Sequence, residues 1–474
     1  MLPPEFESIA AEARRRFRVH VGSDESAEEF PDLLTVEQDV GAFVRELGLG
    51  LLQDFVDVRE EKAKRSRPSC SCGRRLQLHR RTRWTRKTLL GPLTVHDPYA
   101  YCRVCGDSDR PLHAWLGTDR ETWSLAVQEA AVDLASDESC GKAVAKLARH
   151  HPGVVMDRTA ALRMLHDHGK HARGFIDRKL REARELAGLP WGRRSDTADE
   201  LEVEHDCGMI PVATMEPLPV AQGEEPERTP VRGLPKRRRV CRWEEVKAGL
   251  VQKPGETTRL YSLRPTSGLD AAFDDLLALA CMKGWTETTR TRGIADGAVH
   301  IRPRLEETFD VGDFRFILDR PHCKEHLSAA GEAMAAADDV DARAWADRAL
   351  ADMEAGGAEG VVDELRAAHL TTGDEVLRLE AGYFERNADA VAYADYREHG
   401  WSTASSEIES AHRHTVQVRM KLPGAWWHPD GVDDILALRM LKANDWWDEH
   451  WNDRRRAWRT RAETFAEERR HRAA

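Results

Sequence analysis

Apolar positions follow two rhythms along this chain, and the change between them divides it. Before residue 190 most apolar residues recur every three to four positions; beyond residue 200 two-residue alternation appears between such runs. Residues 1–66 carry one strong amphipathic run, VEQDVGAFVRELGLGLLQDFVDVREEKAK, which predicts a helix with a glycine-containing break: a packing or dimer element without chemistry of its own. Residues 67–117 hold short β-type runs between close cysteine pairs, and Gly91-Pro92 predicts a turn between two strands. WSLAVQEAAVDLA and SDESCGKAVAKLARHH read as helices, the second capped by Ser136 or Asp137 and ended by Pro152-Gly153. MDRTAALRMLHDHGKHARGFIDRKLREARELAG continues as one or two helices. Helix, helix, Pro-Gly turn, helix is compatible with a helix-turn-helix DNA reader.

From residue 200 the pattern is strand LEVEHD, a long polar loop, strands VCRWEEVKAGLVQ and TTRLYSLRP, and helix LDAAFDDLLALACMKG ending at Gly284. Strand TRTRGIADG, short helix VHIRPRLEETF and strand FRFILD follow. Three strands, helix, strand, helix, strand is the order of an RNase H-like core. Residues 323–395 are helical, rich in Ala, Asp and Glu, and interrupt that core; 402–422 return as a helix, and the tail is helical and basic. The expected organisation is an N-terminal helical region (1–66), a zinc-ribbon-like module (67–117) and a helical, helix-turn-helix-like domain (118–199). A multidomain α/β remainder follows. Its RNase H-like mixed-sheet core comes in two segments, 200–322 and 401–474, split by an all-α insertion (323–400).

Composition narrows the function classes. No stretch approaches 18 uninterrupted apolar residues, so no membrane span is expected, and MLPPEFESIAAEARRRF lacks the apolar centre of a secretory signal. A net charge of −11 argues against nonspecific coating of nucleic acid, although basic clusters stand at 74–87, 236–239 and 454–461. Of nine cysteines, four form two close pairs and Cys140, Cys207, Cys241, Cys281 and Cys323 are scattered. That suits a reduced, cytosolic protein with one metal site better than a disulfide framework.

Cys70-x-Cys72 and Cys102-x-x-Cys105 can give four thiolates to a closed, structural Zn²⁺ site. The first pair is one residue shorter than usual, and His79 is a substitute ligand. The basic stretch between the pairs, with Trp84 in it, suits phosphate contacts. Asp206 and Asp296 each end a strand-like run, and Glu409 opens a helical one. In the expected sheet the first and fourth strands are neighbours. The two aspartates then converge, and a later helix presents Glu409. Three such carboxylates can hold two Mg²⁺ or Mn²⁺ ions, an arrangement that serves phosphodiester chemistry. Asp319 also ends a strand and rivals Asp296; Glu407 rivals Glu409.

The segments CSCG, CRVCG, PLHAWLG, WEEVKAG, IADGAVHI, FILDRPHCKEHL and IESAHRHTVQVRMKLPGAWW together resemble bacterial insertion-sequence transposases of the Mutator-like DDE group with a cysteine module ahead of the core. The resemblance covers residues 67–450. It implies Asp206, Asp296 and Glu409 as the catalytic, Mg²⁺-binding triad, and Asp319 and His322 as an Asp-x-x-His motif that supports the site or contacts DNA. It also implies double-stranded DNA (terminal inverted repeats and target) as partner, a homo-oligomer bridging two ends, and a bacterial cytoplasmic, nucleoid-associated setting. The chain departs from the group's pattern at Cys207, which precedes Gly208, and at Ala404-Ser405-Ser406. A catalytically inactive, domesticated DNA-binding derivative and a nuclease without strand transfer are the other readings.

Further DNA contacts are expected at Arg158, Thr159 and Arg163 on the third helix, and at Arg419 and Lys421 beyond Glu409. Lys247 is placed near the site, and Trp426 and Trp427 are placed to stack on a base or pack in the core. His150, His151, His166, His168 and His171 are expected at the surface.

Overall fold

The computed structural model describes residues 4–22, 32–65, 70, 72–110, 112, 121–187, 197–219, 227–229, 233–265, 268–337 and 340–473. Apart from Leu112, the PLHAWLG segment lies outside them. The chain is mixed α/β and forms two compact units.

The first unit comprises Met1–Ser124, His151–Val154 and Ala462–Ala474. It begins with α1 (Pro4–Gly22) and α2 (Leu33–Arg65). The expected glycine break in α2 is absent; Gly48 serves close approach instead, since a Cβ there would come within 2.9 Å of Leu90. Strands β1 (Gln77–Thr88), β2 (Gly91–Tyr101) and β3 (Ser108–Asp109) form an antiparallel sheet. The hairpin turn falls at Leu89–Leu90 rather than at Gly91-Pro92; Gly91, with φ 145°, already pairs with Thr88. Val56 and Ala63 of α2 are buried with Leu93 and Val95 of β2. Gln53 exchanges two hydrogen bonds of 2.9 Å with the Thr94 backbone, so α2 is tied to the strand by polar as well as apolar contacts.

The second unit comprises Leu125–His150 and Val155–Arg461. Its first helices are α3 (Leu125–Asp137), α4 (Cys140–His150) and α5 (Arg158–Ala187). Asp157 starts α5 by accepting the backbone N–H groups of Thr159 and Ala160 at 2.8 and 2.9 Å. Then come β4 (Glu200–Pro217), β5 (Arg237–Gln252), β6 (Arg259–Arg264), α6 (Leu269–Met282), β7 (Arg290–Ala295), α7 (Ile301–Phe309) and β8 (Phe314–Leu318). The five strands lie in the order β6-β5-β4-β7-β8; β6, β5 and β4 run antiparallel, and β4, β7 and β8 parallel.

Strand β4 continues well past Asp206, so that residue lies mid-strand, not at a strand end. The strands on either side are longer than expected: β4 reaches Pro217, and β5 begins at Arg237, three residues inside the expected polar loop of 219–239. What stops near Asp206 is the neighbour, since β7 pairs with β4 only from Glu200 to Glu204.

Helices α8 (Arg320–Ala337), α9 (Ala342–Gly356), α10 (Glu359–Thr372), α11 (Glu375–Arg386) and α12 (Tyr393–Glu398) follow β8. The next helix, α13, is α-helical over Ser406–Ala411, widens to a π-helix over His412–Gln417 and closes over Val418–Met420. The last two are α14 (Pro429–Ala443) and α15 (Trp447–Ala473).

Candidate functional site

Two groups of side chains among the described residues bring metal-ligand atoms within 4.8 Å of one another: Cys70, Cys72, Cys102 and Cys105 in the first unit, and Asp319, His322 and Glu409 in the second.

The cysteines come from two turns with matching backbones. In one, Cys70 N–H donates to Arg74 O and Gly73 N–H donates back to Cys70 O. In the other, Cys102 N–H donates to Asp107 O and Gly106 N–H donates back to Cys102 O. Gly73 and Gly106 have φ of 77° and 78°, the left-handed conformation that glycine adopts without strain. The second turn simply holds one residue more, so the shorter first pair does not prevent convergence. The Sγ atoms of Cys72 and Cys102 are 3.7 Å apart and those of Cys70 and Cys105 3.6 Å. Thiolates around a tetrahedral zinc would stand about 3.8 Å apart. Backbone N–H groups of Cys105 and Val104 lower the Cys102 thiol to about 6, whereas Cys70 beside it pushes Cys72 up to about 12. These four residues fit a zinc ion. His79 lies outside the group, with its ring 6.4 Å from Tyr99 and 6.1 Å from Tyr101.

The second group gathers where β7 and β8 end. Asp319 follows β8 directly and is wholly buried. Its Oδ2 accepts His322 Nδ1 at 2.6 Å and His322 N at 2.9 Å; its Oδ1 accepts Ser405 N at 2.6 Å. Burial opposes ionisation of Asp319, but His322 and the two backbone donors outweigh it and hold the carboxyl below its ordinary value. The same bond raises His322 to about 9. Asp319 therefore fixes the ring of His322, the role a carboxylate plays behind a ligating histidine.

Asp296 follows β7 and closes a tight turn by accepting Ala298 N at 2.9 Å. Its carbonyl accepts Tyr383 Oη of α11 at 2.7 Å. Gly297, at φ 73°, could not carry a side chain here: a Cβ would meet Leu318 at 2.5 Å. Asp206 is partly buried, and its Oδ1 accepts the N–H of Cys207 at 2.7 Å. Burial raises its pKa and the charge of Asp296 adds to that, while His412 acts against it. Asp206, Asp296 and His322 thus feel one another's charge, but Asp206 and Asp296 stand outside the tight Asp319–His322–Glu409 group. Glu407 turns away from it to pair with Arg259 at 2.7 Å, which leaves Glu409 as the glutamate of the site.

No protein-family model matches this chain, and no curated protein matches it. The case for function therefore rests on the residues themselves.

Three contributors escaped the sequence reading. Buried His412 places Nε2 3.4 Å from Asp206 O and 3.6 Å from its Oδ2. The π-turn begins at His412, and Gly208 makes room for the ring: a Cβ there would lie 2.9 Å from it. Glu204, wholly buried, accepts the N–H of Ile408 at 2.7 Å and so ties the start of α13 to β4. Burial raises Glu204 to about 9, so it is a neutral acid at pH 7. Tyr383 supports the Asp296 turn from the helical block. The signal for Glu204 and Asp206 was present in LEVEHD, whose alternation sets Glu202, Glu204 and Asp206 on one face.

Other expected sites divide. Arg158, Thr159, Arg163 and Lys421 are exposed. Arg419 is 2% exposed, donates to Ala135 O at 3.3 Å and stacks on Trp427 at 4.5 Å, so it is a packing residue rather than a DNA contact. Trp427 is held by Met420 O at 2.7 Å. His168 is buried, bonded to Gln128 at 2.8 Å, and His166 is half-buried against Asp434, contrary to the expected surface placement. Lys247 pairs with Glu245 at 3.1 Å, next to Cys207 on the side of β4 away from α13. Burial pushes the Cys207 thiol up to about 12, which makes it a poor nucleophile.

Proposed function

We propose that this protein is a metal-dependent DNA transposase of the DDE type, with an RNase H-like core behind a zinc-binding module. The observation that carries the reading is the convergence of Asp206 on β4, Asp296 after β7, Asp319 and His322 after β8, and Glu409 on α13 at one end of the sheet. The strand order and directions support it, being those of an RNase H-like sheet.

Asp206, Asp296 and Glu409, with His322, would hold divalent cations; Asp319 orients His322, and Glu204 and His412 set Glu409 and Asp206. Bound Mg²⁺ or Mn²⁺ supplies an activated oxygen nucleophile and neutralises charge on the leaving oxygen. The chain's own role is to hold the carboxylates in place. Asp206 would need the cation to ionise, since burial and the charge of Asp296 favour its protonated form. By the resemblance of its motifs, the DNA would be the ends of an insertion sequence. Exposed Arg158, Arg163 and Lys421 remain available for DNA phosphate, and the protein would work as a multimer bridging two ends.

One observation favours a second reading, a catalytically inactive DNA-binding derivative: Asp206 and Asp296 stand outside the tight ligand group and each caps its own backbone. A single experiment separates the two. Purified protein is incubated with a duplex bearing the element end, with Mg²⁺ or EDTA, alongside Asp296→Ala and Asp319→Ala. Metal-dependent cleavage and joining, lost in Asp296→Ala, supports the transposase. Tight binding with no cleavage under any metal supports the inactive derivative. Cleavage that survives in Asp296→Ala moves the second carboxylate to Asp319.

A further inference from the structure

Strands β4 and β5 stay paired far beyond the rest of the sheet. β7 accompanies β4 only through Glu204 and β6 accompanies β5 only from Lys247, whereas the β4–β5 pairing continues out to Pro217 and Arg237. The outer portion is a two-stranded ribbon rooted at Asp206. Trp427 closes its β4 edge, exchanging backbone hydrogen bonds with Ala213 and Pro211 at 2.8 and 3.2 Å.

The register assigns the two faces. Gly208, Ile210 and Val212 point to the side where His412 packs. Met209, Trp243, Met215, Arg239 and Arg237 share the other. Helix α6 covers only the root of that second face, where Phe273 stacks on His205 at 4.9 Å and Leu276 lies against Gly249. Farther out, Met209, Met215 and Trp243 are 45%, 50% and 56% exposed. Trp426 lies 6.4 Å from Trp243, and Arg239 sits 5.8 Å from the Trp426 ring. Arg237, Arg238 and Arg239 are exposed and have no carboxylate partner among the described residues.

An exposed Trp243 ring beside half-buried Trp426, next to consecutive arginines with no carboxylate partner among the described residues, is costly for a surface that meets only water. The arginines make this a local basic patch, complementary to a polyanion despite the chain's net charge of −11. Rings at the spacing of Trp243 and Trp426 offer π-faces to unpaired bases, and the arginines offer charge to the phosphates between them. We infer that the outer β4–β5 ribbon is a binding surface for single-stranded DNA, with Trp243 and Trp426 stacking on bases and Arg237 and Arg239 pairing with phosphates. The inference deepens the proposed function, since a strand laid along this ribbon leads to Asp206.

The test measures anisotropy of a labelled oligothymidylate and of a duplex of equal length with full-length, zinc-loaded protein in buffer without Mg²⁺ or Mn²⁺. Trp243→Ala, Trp243→Phe and the double change Arg237→Glu with Arg239→Glu are compared with wild type. Zinc content and circular dichroism check that each variant is folded. Trp243→Ala should weaken single-strand binding about tenfold with an unchanged salt slope, and Trp243→Phe should restore most of it. The double arginine change should weaken binding and flatten the salt dependence by one to two phosphate contacts' worth, roughly 0.7 each. Wild-type binding in all variants would overturn the inference, as would equal loss on strand and duplex in Trp243→Ala or displacement of wild type only by a polyglutamate peptide. Cleavage is scored separately. Strand binding that follows these changes without any metal-dependent cleavage keeps the ribbon and removes the transposase. Asp206-dependent cleavage beside indifferent strand binding does the reverse.

Discussion

Cys70, Cys72, Cys102 and Cys105 meet from two turns at the ends of one hairpin. Asp206, Asp296, Asp319 and Glu409 arrive from three strands and a helix separated by whole elements. The cysteine turns carry their own geometry: a left-handed glycine and reciprocal backbone hydrogen bonds set each pair, so the cluster needs only the β1–β2 pairing to close. The acidic site has no such local frame. Its members are positioned by sheet order, by Glu204 holding the start of α13 and by Asp319 holding Ser405. One site is made by short-range spacing and a ligand that can organise it; the other is made by topology. The first should thus depend on metal for its fold, and the second on metal for its chemistry alone.

The largest effect expected from that contrast is on the first unit. Cys102→Ser, or prolonged chelation, should abolish zinc binding and expose the first unit to limited proteolysis while the second stays resistant. Full zinc content in the variant, or an unchanged digest, would remove the structural role. Next in size, Asp206→Asn should lower the proposed end cleavage roughly a hundredfold or more, the scale of losing a group that stabilises transition-state charge, without changing the unfolding midpoint appreciably. If the two changes affect stability and activity alike, the contrast between the sites fails.

Smaller is a pH effect at Glu204. Its folded value of about 9 lies above the ordinary carboxyl value of 4.5. The unfolded chain therefore releases this proton first, and stability falls as pH rises between those two values. Glu204→Gln keeps an acceptor for Ile408 N–H and removes the ionisation. In EDTA its stability advantage over wild type should grow from pH 5 to pH 9 in denaturant titrations; a gap that is flat or shrinking would reject the buried neutral acid. Smallest is a pair of glycines. Gly208→Ala meets the His412 ring and should cost about 1–3 kcal/mol. Gly174→Ala, within α5 and with no atom inside 4 Å of the new methyl, should gain about 0.5–1 kcal/mol. Matching signs in thermal unfolding would contradict the packing described around His412.

Much of the second unit was legible because its elements announce themselves one by one: alternation in LEVEHD and FRFIL, helical spacing in LDAAFDDLLALACM, and Gly284 at the end of the latter. Strand order sets β4 beside β7, which brings Asp206 within range of the charge of Asp296. What stayed hidden depends on neighbours far away in sequence. Nothing near Arg419 reveals that it will be covered by Trp427 and α3, and nothing near His412 reveals that a π-turn will swing it onto Asp206. Strand length was misjudged for the same reason. The strand was read only as far as Asp206, yet CGMIPVATMEP continues it, held by pairing with an arginine-rich partner and with Trp427. In the first unit, Gly48 reads as a helix breaker by propensity, but its close approach to Leu90 of the hairpin offsets a cost of about 1 kcal/mol.

The hydrogen bond from Ser405 to Asp319 has a neighbour: Arg320 N–H donates to Thr403 O at 2.9 Å. The helical block of α8 to α12 therefore leaves the sheet and rejoins it at a single point, like a loop drawn shut at its neck. Closing such a loop costs an entropy that grows only with the logarithm of its length. Helices inside it can be lengthened, shortened or exchanged with little change in that cost, provided the neck and the contacts of Tyr383 to Asp296, Tyr393 to Leu318 and Asp389 to Arg302 persist. Glu409 emerges just beyond the neck, so its position relative to Asp319 is insulated from the size of what lies between them.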